Sequence, residues 1–262
     1  MNKKIHKFNV NGIDIFLQDI ETSKTLHYIE NEVFIDDEYK LNEIEFQDND
    51  IVLDIGANVG SVSILLAKKY PKLKIYSFEP HPINFENFLQ NIELNKVDNI
   101  IPIQKAVSKN SNVVQELSLC YTNTGATSLF KSVAGAKDTF KVYTISIDDI
   151  LNEFNINEIK FLKIDCEGSE FDILEHSAKI KNIPVHNLSV EIHTFVEPLE
   201  KETWVKARQE EINNMRKKGD LEKAANAERK LFNETEASVN GLVKLCEEIS
   251  INKPFCKINT TG

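Results

Sequence analysis

The chain has 262 residues, a formal net charge of −10 and a hydrophobic content of 41%. This length suffices for a full α/β core with an appendage. The negative charge argues against nucleic acid as a partner, and no run approaches the roughly 18 apolar residues of a membrane span.

We expect a cytoplasmic protein with reduced thiols. No apolar stretch follows the basic N-terminus, Met1–Lys7, so we expect no secretory signal. The cysteines lack Cys-x-x-Cys spacing, which argues against a zinc site or a disulfide framework. They are Cys120, Cys166, Cys246 and Cys256.

The first 50 residues predict a β-hairpin and a helical cap. Apolar residues alternate over Lys7–Gln18 on either side of Asn11-Gly12, a dipeptide that is the strongest short signal for a hairpin turn. Residues 20–48 predict one or two short helices that cap one end of a sheet.

Residues 51–199 predict the main domain, in which strands and helices alternate. Such alternation predicts a parallel sheet with helices on both faces. The first elements are expected at 51–55, 61–70, 74–79, 82–96 and 99–104. An inserted β-hairpin is then expected from Val113–Leu119 and Thr139–Ile147. The alternation resumes with helix 148–154, strand 159–165, helix 169–181 and strand 187–193.

Residues 200–262 predict a charged helical hairpin as far as residue 249, and a strand at Pro254–Asn259. Nine bases and six acids lie between residues 201 and 230, a basic surplus in an acidic chain. We expect this hairpin to be a solvated appendage, or to dock on its own domain or on a second copy as a homodimer.

Residues 52–60, Val-Leu-Asp-Ile-Gly-Ala-Asn-Val-Gly, predict a nucleoside site. Gly56 and Gly60 bracket a tight turn, where small residues let the backbone approach a ligand. The next strand ends in Phe78-Glu79-Pro80, which places Glu79 at the usual distance for binding both ribose hydroxyls. The alternative is an ordinary strand–turn–helix unit with an aspartate cap.

Asp54 discriminates between nucleosides. The dinucleotide fingerprint Gly-x-Gly-x-x-Gly has glycine there, and its pyrophosphate lies on the helix N-terminus. A carboxylate about 4 Å from a phosphate repels it by roughly 4 kcal/mol at an effective dielectric near 20. The same carboxylate attracts an ammonium or sulfonium group, which favours S-adenosylmethionine over NAD.

Polar residues follow several of the predicted strands. Ligands of open α/β sheets bind beyond the carboxyl ends of the strands. We therefore expect six residues to converge on one rim, namely Asp54, Glu79, Ala106, Asp165, Glu191 and His193.

Over roughly residues 50–195 the chain resembles the FkbM family of S-adenosylmethionine-dependent methyltransferases. The motifs that carry the resemblance are residues 52–60, Phe78-Glu79-Pro80, Lys105–Ser108, Ser146–Leu151, Lys163–Glu170 and Val190–His193. The resemblance implies an α/β fold of the class I methyltransferase (Rossmann-like) type with a seven-stranded, mostly parallel sheet. It also implies O-methylation of a sugar, a glycan or a small metabolite. Members usually add two strands soon after the last motif, whereas here about 50 charged helical residues intervene.

The expected ligands of S-adenosylmethionine are Asp54, Gly56, Asn58, Gly60, Glu79, Pro80, Ala106, Val107 and Asp165. Methyl transfer also needs an aligned acceptor oxygen and removal of its proton. The candidates for the base are Asp165, Glu167 and His193. Glu167 and Glu170 could instead be acids favoured at a helix N-terminus, and His193 a packed histidine. We expect no metal, although Asp165, Glu167, Glu191 and His193 could alternatively bind Mg²⁺.

The polar loop Thr122–Ser128 suits a polyhydroxylated acceptor and equally an ordinary surface loop. We expect a methyltransferase that acts on a small hydroxylated acceptor. One alternative is a non-catalytic module that binds the nucleoside or serves as a scaffold through residues 200–249. A more distant alternative is an NAD-linked oxidoreductase.

Overall fold

The computed structural model describes residues 2–118, 123–125, 139–193 and 239–259, together with Met215, Lys217 and Lys223. Its strands are β1 (Lys3–Val10), β2 (Ile13–Ile20), β3 (Ile51–Ile55), β4 (Lys74–Phe78), β5 (Ile100–Ile103), β6 (Ala106–Val107), β7 (Val114–Ser118), β8 (Thr139–Ile145), β9 (Ile159–Ile164), β10 (Val185–His193) and β11 (Phe255–Asn259). Its helices are α1 (Thr25–Tyr28), α2 (Ser61–Lys69), α3 (Pro82–Asn95), α4 (Ile147–Glu153) and α5 (Glu170–Glu175), and residues 239–249 are also helical. A π-helical turn (Ile29–Ile35) and two 3₁₀ turns (Leu41–Glu43, Ile180–Asn182) complete the elements.

Six parallel strands form the central sheet of the described residues, in the order β11-β10-β9-β3-β4-β5. From β3 the chain builds outward through β4 and β5, and then returns to build β9, β10 and β11 on the other side. The order therefore reverses between β3 and β9, which is where open α/β sheets bind their ligands. The α/β class and the parallel sheet predicted from the sequence are confirmed.

Successive residues of each central strand pack against opposite helical layers, because strand side chains alternate between the two faces of the sheet. Val52 and Phe161 pack with α2, α3 and the hairpin β1–β2. Leu53 and Leu162 pack with α4, α5 and the helix at 239–249. Both faces are covered, so each central strand presents apolar residues to both layers rather than alternating apolar with polar residues.

The C-terminal residues are part of the main core. Val239, Leu242 and Cys246 are buried in the same cluster as the strands, and β11 pairs with β10. Residues 239–259 therefore share the core that the sequence placed in residues 51–199. Most of the hairpin predicted for residues 200–249 lies outside the described residues.

The predicted N-terminal hairpin is confirmed. Asn11 and Gly12 have φ angles of 50° and 84°, as a two-residue turn with both central residues in the left-handed region requires. Val10 pairs with Ile13 across this turn. The predicted cap of short helices follows, as α1 and the two turns after it.

Two asparagines of α3 dock the hairpin onto the core. Asn95 Oδ1 accepts from Phe16 N (3.0 Å), and Asn95 Nδ2 donates to Phe16 O (2.6 Å). Asn91 makes the same pair of bonds with Gln18 N and O, at 2.7 and 3.1 Å. Four residues of helix rise about 6 Å and two residues of strand about 6.8 Å, so the two spacings match. Side-chain amides thus bond the free edge of β2 as a neighbouring strand would.

The predicted inserted hairpin is confirmed as an antiparallel pair, β7 with β8. The short strand β6, which the sequence analysis did not predict, adds parallel to β8 and makes a separate three-stranded sheet. Most of the loop between β7 and β8 lies outside the described residues.

One expectation about an element is corrected. Helix α5 ends at Glu175 rather than at residue 181. The Ser177 hydroxyl and the Lys179 N–H both donate to Asp148 Oδ1, at 2.6 and 3.0 Å, so the chain turns toward α4 instead of continuing the helix. The sheet has six strands among the described residues, where the resemblance implied seven. Within the described part of the chain, no helix combines the length and apolar character needed to cross a membrane.

Candidate functional site

A cavity of about 500 Å³ opens at the carboxyl ends of the central strands. This volume lies in the range of small-molecule sites. Eight of the nine predicted cofactor residues line it: Asp54, Gly56, Asn58, Glu79, Pro80, Ala106, Val107 and Asp165. Glu167 and Glu191 line it as well. His193 lies behind this wall, 1% exposed and in contact with Glu167 and Glu191.

Gly56 sits where two turns meet. Its φ is 80°, and a Cβ there would lie 1.7 Å from the backbone oxygen of Asp165. Gly56 N donates to Phe78 O (3.0 Å), which anchors the turn on β4. Gly56 is therefore needed for the contact between the turns after β3 and β9, and it also lines the cavity.

Gly60 has a different role from the one predicted. It is absent from the residues that line the cavity. Its φ is 88°, and a Cβ there would lie 2.1 Å from Phe88 Cδ2. The glycine lets α2 begin against the buried Phe88 ring, so packing accounts for this residue.

Glu79 organises the turn that follows β3. Its Oε2 accepts from Asn58 N (2.8 Å), and its Oε1 accepts from His81 N (2.9 Å). Burial raises the pKa of this carboxyl to about 7, although the two backbone hydrogen bonds oppose the rise. A carboxylate offers about four acceptor sites, so both oxygens can still accept from ligand hydroxyls.

Asp54 is fully buried and its charge is compensated. Lys163 Nζ lies 3.4 Å from Asp54 Oδ1 and donates to Gly56 O (2.9 Å). The Ser63 hydroxyl donates to Asp54 Oδ2 (2.6 Å). The sequence argument against a dinucleotide treated Asp54 as an uncompensated charge, and that premise is wrong. Asp54 and Lys163 together hold the turn after β3, because Lys163 bonds to Gly56 O while it contacts Asp54.

Asp165 is held as a carboxylate. The Tyr39 hydroxyl donates to its Oδ2 (2.7 Å), and Lys163 Nζ lies 3.6 Å from the same oxygen. Burial alone would raise the pKa of Asp165, but Lys163, His193 and Tyr39 outweigh it and lower the pKa below its ordinary value. A carboxylate with a lowered pKa is a weak proton acceptor.

Glu167 has a left-handed backbone, with a φ of 56°. Such a conformation costs energy in a residue other than glycine and occurs frequently at functional sites. Burial raises the pKa of its carboxyl to about 8, and His193, with Nε2 at 3.6 Å from Glu167 Oε2, opposes the rise. Of the two carboxylates in the turn after β9, Glu167 is therefore more basic than Asp165.

His193 is surrounded by carboxylates. Its Nδ1 lies 3.0 Å from Glu170 Oε1, and its Nε2 lies 3.8 Å from Glu191 Oε1. Burial disfavours the charged ring, but the hydrogen bond to Glu170 and the charges of Glu170, Asp165 and Glu167 outweigh it and raise the pKa of His193 to about 10. The ring is an imidazolium at neutral pH.

Lys257, on β11, closes the rim. Its Nζ lies 2.7 Å from Glu38, 3.5 Å from Glu191 and 3.6 Å from Glu32. It joins the edge strand of the sheet to the N-terminal cap. The sequence analysis missed this residue, since nothing in the chain order brings residue 257 next to residue 38.

Three possible metal ligands lie close together. Asp165, Glu191 and His193 each offer one atom, and these atoms lie within 4.8 Å of one another. Lys163 contacts Asp165, Lys257 contacts Glu191, and the histidine is protonated. Two cations thus already contact the carboxylates of this group and its third member is itself protonated, which disfavours a divalent cation.

The described part of the polar loop, residues 123–125, packs beside the cavity. Asn84 Nδ2 donates to Thr124 O (2.9 Å), and the Thr124 hydroxyl donates to the buried Asp19 (2.8 Å). The rest of the predicted loop Thr122–Ser128 lies outside the described residues.

Comparisons with known proteins agree with the geometry. The model of the methyltransferase FkbM domain matches residues 54–221. Methyltransferase 1 of Beauveria bassiana is 29% identical over 187 residues, covering 61% of this chain and 72% of that protein. The hexuronic acid methyltransferase AglP of Haloferax volcanii is 25% identical over 154 residues, covering 59% of this chain and 60% of that protein. The 31-O-demethyl-FK506 methyltransferase FkbM of Streptomyces tacrolimicus is 24% identical over 174 residues, covering 56% and 66%.

Proposed function

We propose that the methyl acceptor of this protein is a hydroxyl group of a sugar, a glycan or another small metabolite. The proposal starts from the family, because the chain belongs to the FkbM family of S-adenosylmethionine-dependent methyltransferases. The family predicted from the sequence motifs is thereby confirmed. The acceptor class is supported by relatives that are named a hexuronic acid methyltransferase and a 31-O-demethyl-FK506 methyltransferase.

The residues of the cavity fit S-adenosylmethionine. Asn58 Oδ1 and Asn84 Oδ1 are buried, and neither has a hydrogen-bond partner among the described residues. Both side chains line the cavity, and buried polar atoms normally find a partner. We assign them, with Glu79 for the ribose hydroxyls and the Gly56 turn for close backbone approach, to the binding of this molecule.

The observation that supports an oxygen acceptor is a basic carboxylate, Glu167, on the cavity wall. When bound, S-adenosylmethionine supplies an electrophilic methyl carbon on a sulfonium. An acceptor hydroxyl must lose its proton as its oxygen attacks that carbon. Glu167 lines the cavity, and its pKa of about 8 suits a base that works near neutral pH.

Asp165 and His193, the neighbours of Glu167, have other roles. Asp165, fixed by Tyr39 and Lys163, is too weak a base, and we assign it to orienting the ligands. His193 is protonated near neutral pH and cannot accept a proton there. Its imidazolium instead stabilises the ionised form of Glu167. Of the three candidates from the sequence, Glu167 is the one that we propose as the base.

The test is transfer of a labelled methyl group from S-adenosylmethionine to glucose, glucuronic acid, N-acetylglucosamine, a fatty alcohol and catechol. We expect a methyl ether on a sugar hydroxyl, stable to mild base, with turnover lost in Glu167→Gln. Labelling only of a carboxylate, as a base-labile ester, contradicts the proposed acceptor. Tight binding without transfer to any acceptor supports the non-catalytic module instead.

A further inference from the structure

We propose that Glu170 is a positioning residue of this site, which shapes the Glu167 turn and holds the His193 ring beside Glu167. The inference rests on the proposed function, because it assumes that Glu167 takes the proton of the acceptor. Glu170 does not line the cavity and is fully buried, so it acts through its neighbours.

A single oxygen of Glu170 fixes the turn on both sides of Glu167. Glu170 Oε1 accepts from Cys166 N and from Gly168 N, both at 3.1 Å. These two amides flank Glu167, whose left-handed backbone needs support from its surroundings to persist. The bonds to the flanking amides supply that support, so the carboxylate defines where the Glu167 side chain begins.

The same oxygen also orients His193. The distance from Glu170 Oε1 to His193 Nδ1 is 3.0 Å, and this bond leaves Nε2 on the side of Glu167, 3.6 Å from its Oε2. A carboxylate that holds one ring nitrogen fixes both the orientation of the imidazole and the position of its other proton. The array therefore runs from Glu170 through His193 to Glu167.

The ordinary explanation of Glu170, an acid favoured at a helix N-terminus, does not account for these contacts. Glu170 begins α5, but its side chain bonds to the preceding turn and to a residue of β10. Helix α5 has six residues, and Asp172 already supplies an acid in its first turn. The side chain of Glu170 thus bonds to the Glu167 turn and to His193 rather than to the N-terminus of its own helix.

Charges on several elements face the His193 ring. Glu170 lies on α5, Asp165 and Glu167 follow β9, and Glu191 lies on the same strand as His193. Lys257 of β11 contacts Glu191 and offsets part of its charge. Among the described residues Glu170 makes the shortest ion contact with His193, so loss of its charge should affect the ring most.

The test uses the full chain and NMR titration of the His193 ring with no ligand added. The wild-type ring should stay protonated until about pH 10. Glu170→Gln keeps an oxygen for the backbone amides but removes the charge, so the pKa of His193 should fall by about 1–3 units. Glu175→Gln, an exposed residue of the same helix, is the control and should leave the titration unchanged.

A second readout uses turnover of glucuronic acid, or of glucose if the uronic acid is not methylated. Glu170→Gln weakens the hold on the His193 ring beside Glu167, so kcat should fall while the KM for S-adenosylmethionine changes little. A pKa of His193 and a kcat that both match the wild type overturn the inference. If the variant does not fold, the wild-type protein alone still tests the inference. A His193 ring that titrates near 6.5 in the wild type, the ordinary value for histidine, would overturn it. Absence of methyl transfer by the wild-type protein instead counts against the proposed function, because the NMR titration needs no acceptor.

Discussion

Lys163 forms a buried ion pair with Asp54, with 3.4 Å between Nζ and Oδ1, directly beneath the turn that carries Gly56. The lysine is 3% exposed and the aspartate fully buried. The same ammonium lies 3.6 Å from Asp165 and 5.0 Å from the centre of the Tyr39 ring. One cation thus connects the two turns that form the floor of the cavity.

Replacing Lys163 with methionine should strongly destabilise the fold. The change leaves the buried Asp54 and the partly exposed Asp165 without their cation, and breaking a buried pair costs about 3–5 kcal/mol. The free energy of unfolding in urea measures this loss. Lys160→Met is the control, because the half-buried Lys160 lies on the same strand at 4.0 Å from Asp50 and should cost about 1 kcal/mol or less. Adding Asp54→Asn to Lys163→Met should restore part of the stability, and no recovery would contradict the pairing.

Much of the fold could be predicted from local sequence signals. The turn Asn11-Gly12, the alternation of apolar strands with helices, and the antiparallel pair β7–β8 all depend on near neighbours. Helix α5 was predicted too long, because the contact of Ser177 with Asp148 joins residues 29 positions apart. The pairing of β11 with β10 joins segments separated by about 60 residues, and no periodicity reports such a contact.

The candidate site was predictable only in part for the same reason. Single motifs pointed to Asp54, Glu79 and Glu167, which line one cavity. Tyr39, which bonds to Asp165, and Lys257, which contacts Glu191, come from other parts of the fold. One available signal was missed: Lys163 lies between Leu162 and Ile164 on the central strand β9, where a buried cation needs a buried partner.

Removing the Asn95 amide should loosen the N-terminal hairpin. In Asn95→Ala the part-buried N–H and C=O of Phe16 lose their partner, which should cost about 1 kcal/mol, the low end of the range for unpaired buried groups. Urea denaturation checks the change. Glu93→Ala, an exposed position of the same helix, should stay within about 0.5 kcal/mol of the wild type. Equal stability of the two variants is incompatible with docking through the amides.

Glu79→Ala should weaken the binding of S-adenosylmethionine. Hydrogen bonds to a charged group contribute about 1.5–3 kcal/mol, and Glu79 also shapes the turn through Asn58 N. Calorimetry should show this loss, whereas Glu86→Ala, on the exposed face of α3, should bind normally. Ligand hydroxyls bond best to the ionised carboxylate, whose pKa is about 7. Wild-type affinity should therefore rise from pH 6 to 8. Unchanged affinity in Glu79→Ala excludes the ribose assignment.

A chelator should leave methyl transfer intact. Lys163, Lys257 and the protonated His193 already face the carboxylates that could otherwise bind a divalent cation. Activity measured after dialysis against EDTA should equal that of the untreated protein. Activity that disappears with EDTA and returns with Mg²⁺ would instead make Asp165, Glu191 and His193 the first candidates for its ligands.

Glu167→Gln should lower kcat while leaving the affinity for S-adenosylmethionine nearly unchanged. Loss of a general base costs about 10²–10⁴-fold in rate, and glutamine cannot accept the proton. A base works in its deprotonated form, so wild-type kcat should rise with pH, level off above the pKa of Glu167 of about 8, and fall away below it. Asp165 has a lowered pKa and should not titrate in this range.

Two variants make this prediction specific to Glu167. His193→Gln removes the cation that favours the ionised carboxylate, so its pH profile should move to higher pH. Glu158→Gln, an exposed residue, should keep both the rate and the profile of the wild type. Steady-state kinetics from pH 6 to 10 at saturating S-adenosylmethionine measure these proteins together with Asp165→Asn. A Glu167→Gln variant that turns over at the wild-type rate removes Glu167 from the chemistry, and a fall in Asp165→Asn alone would make Asp165 the base.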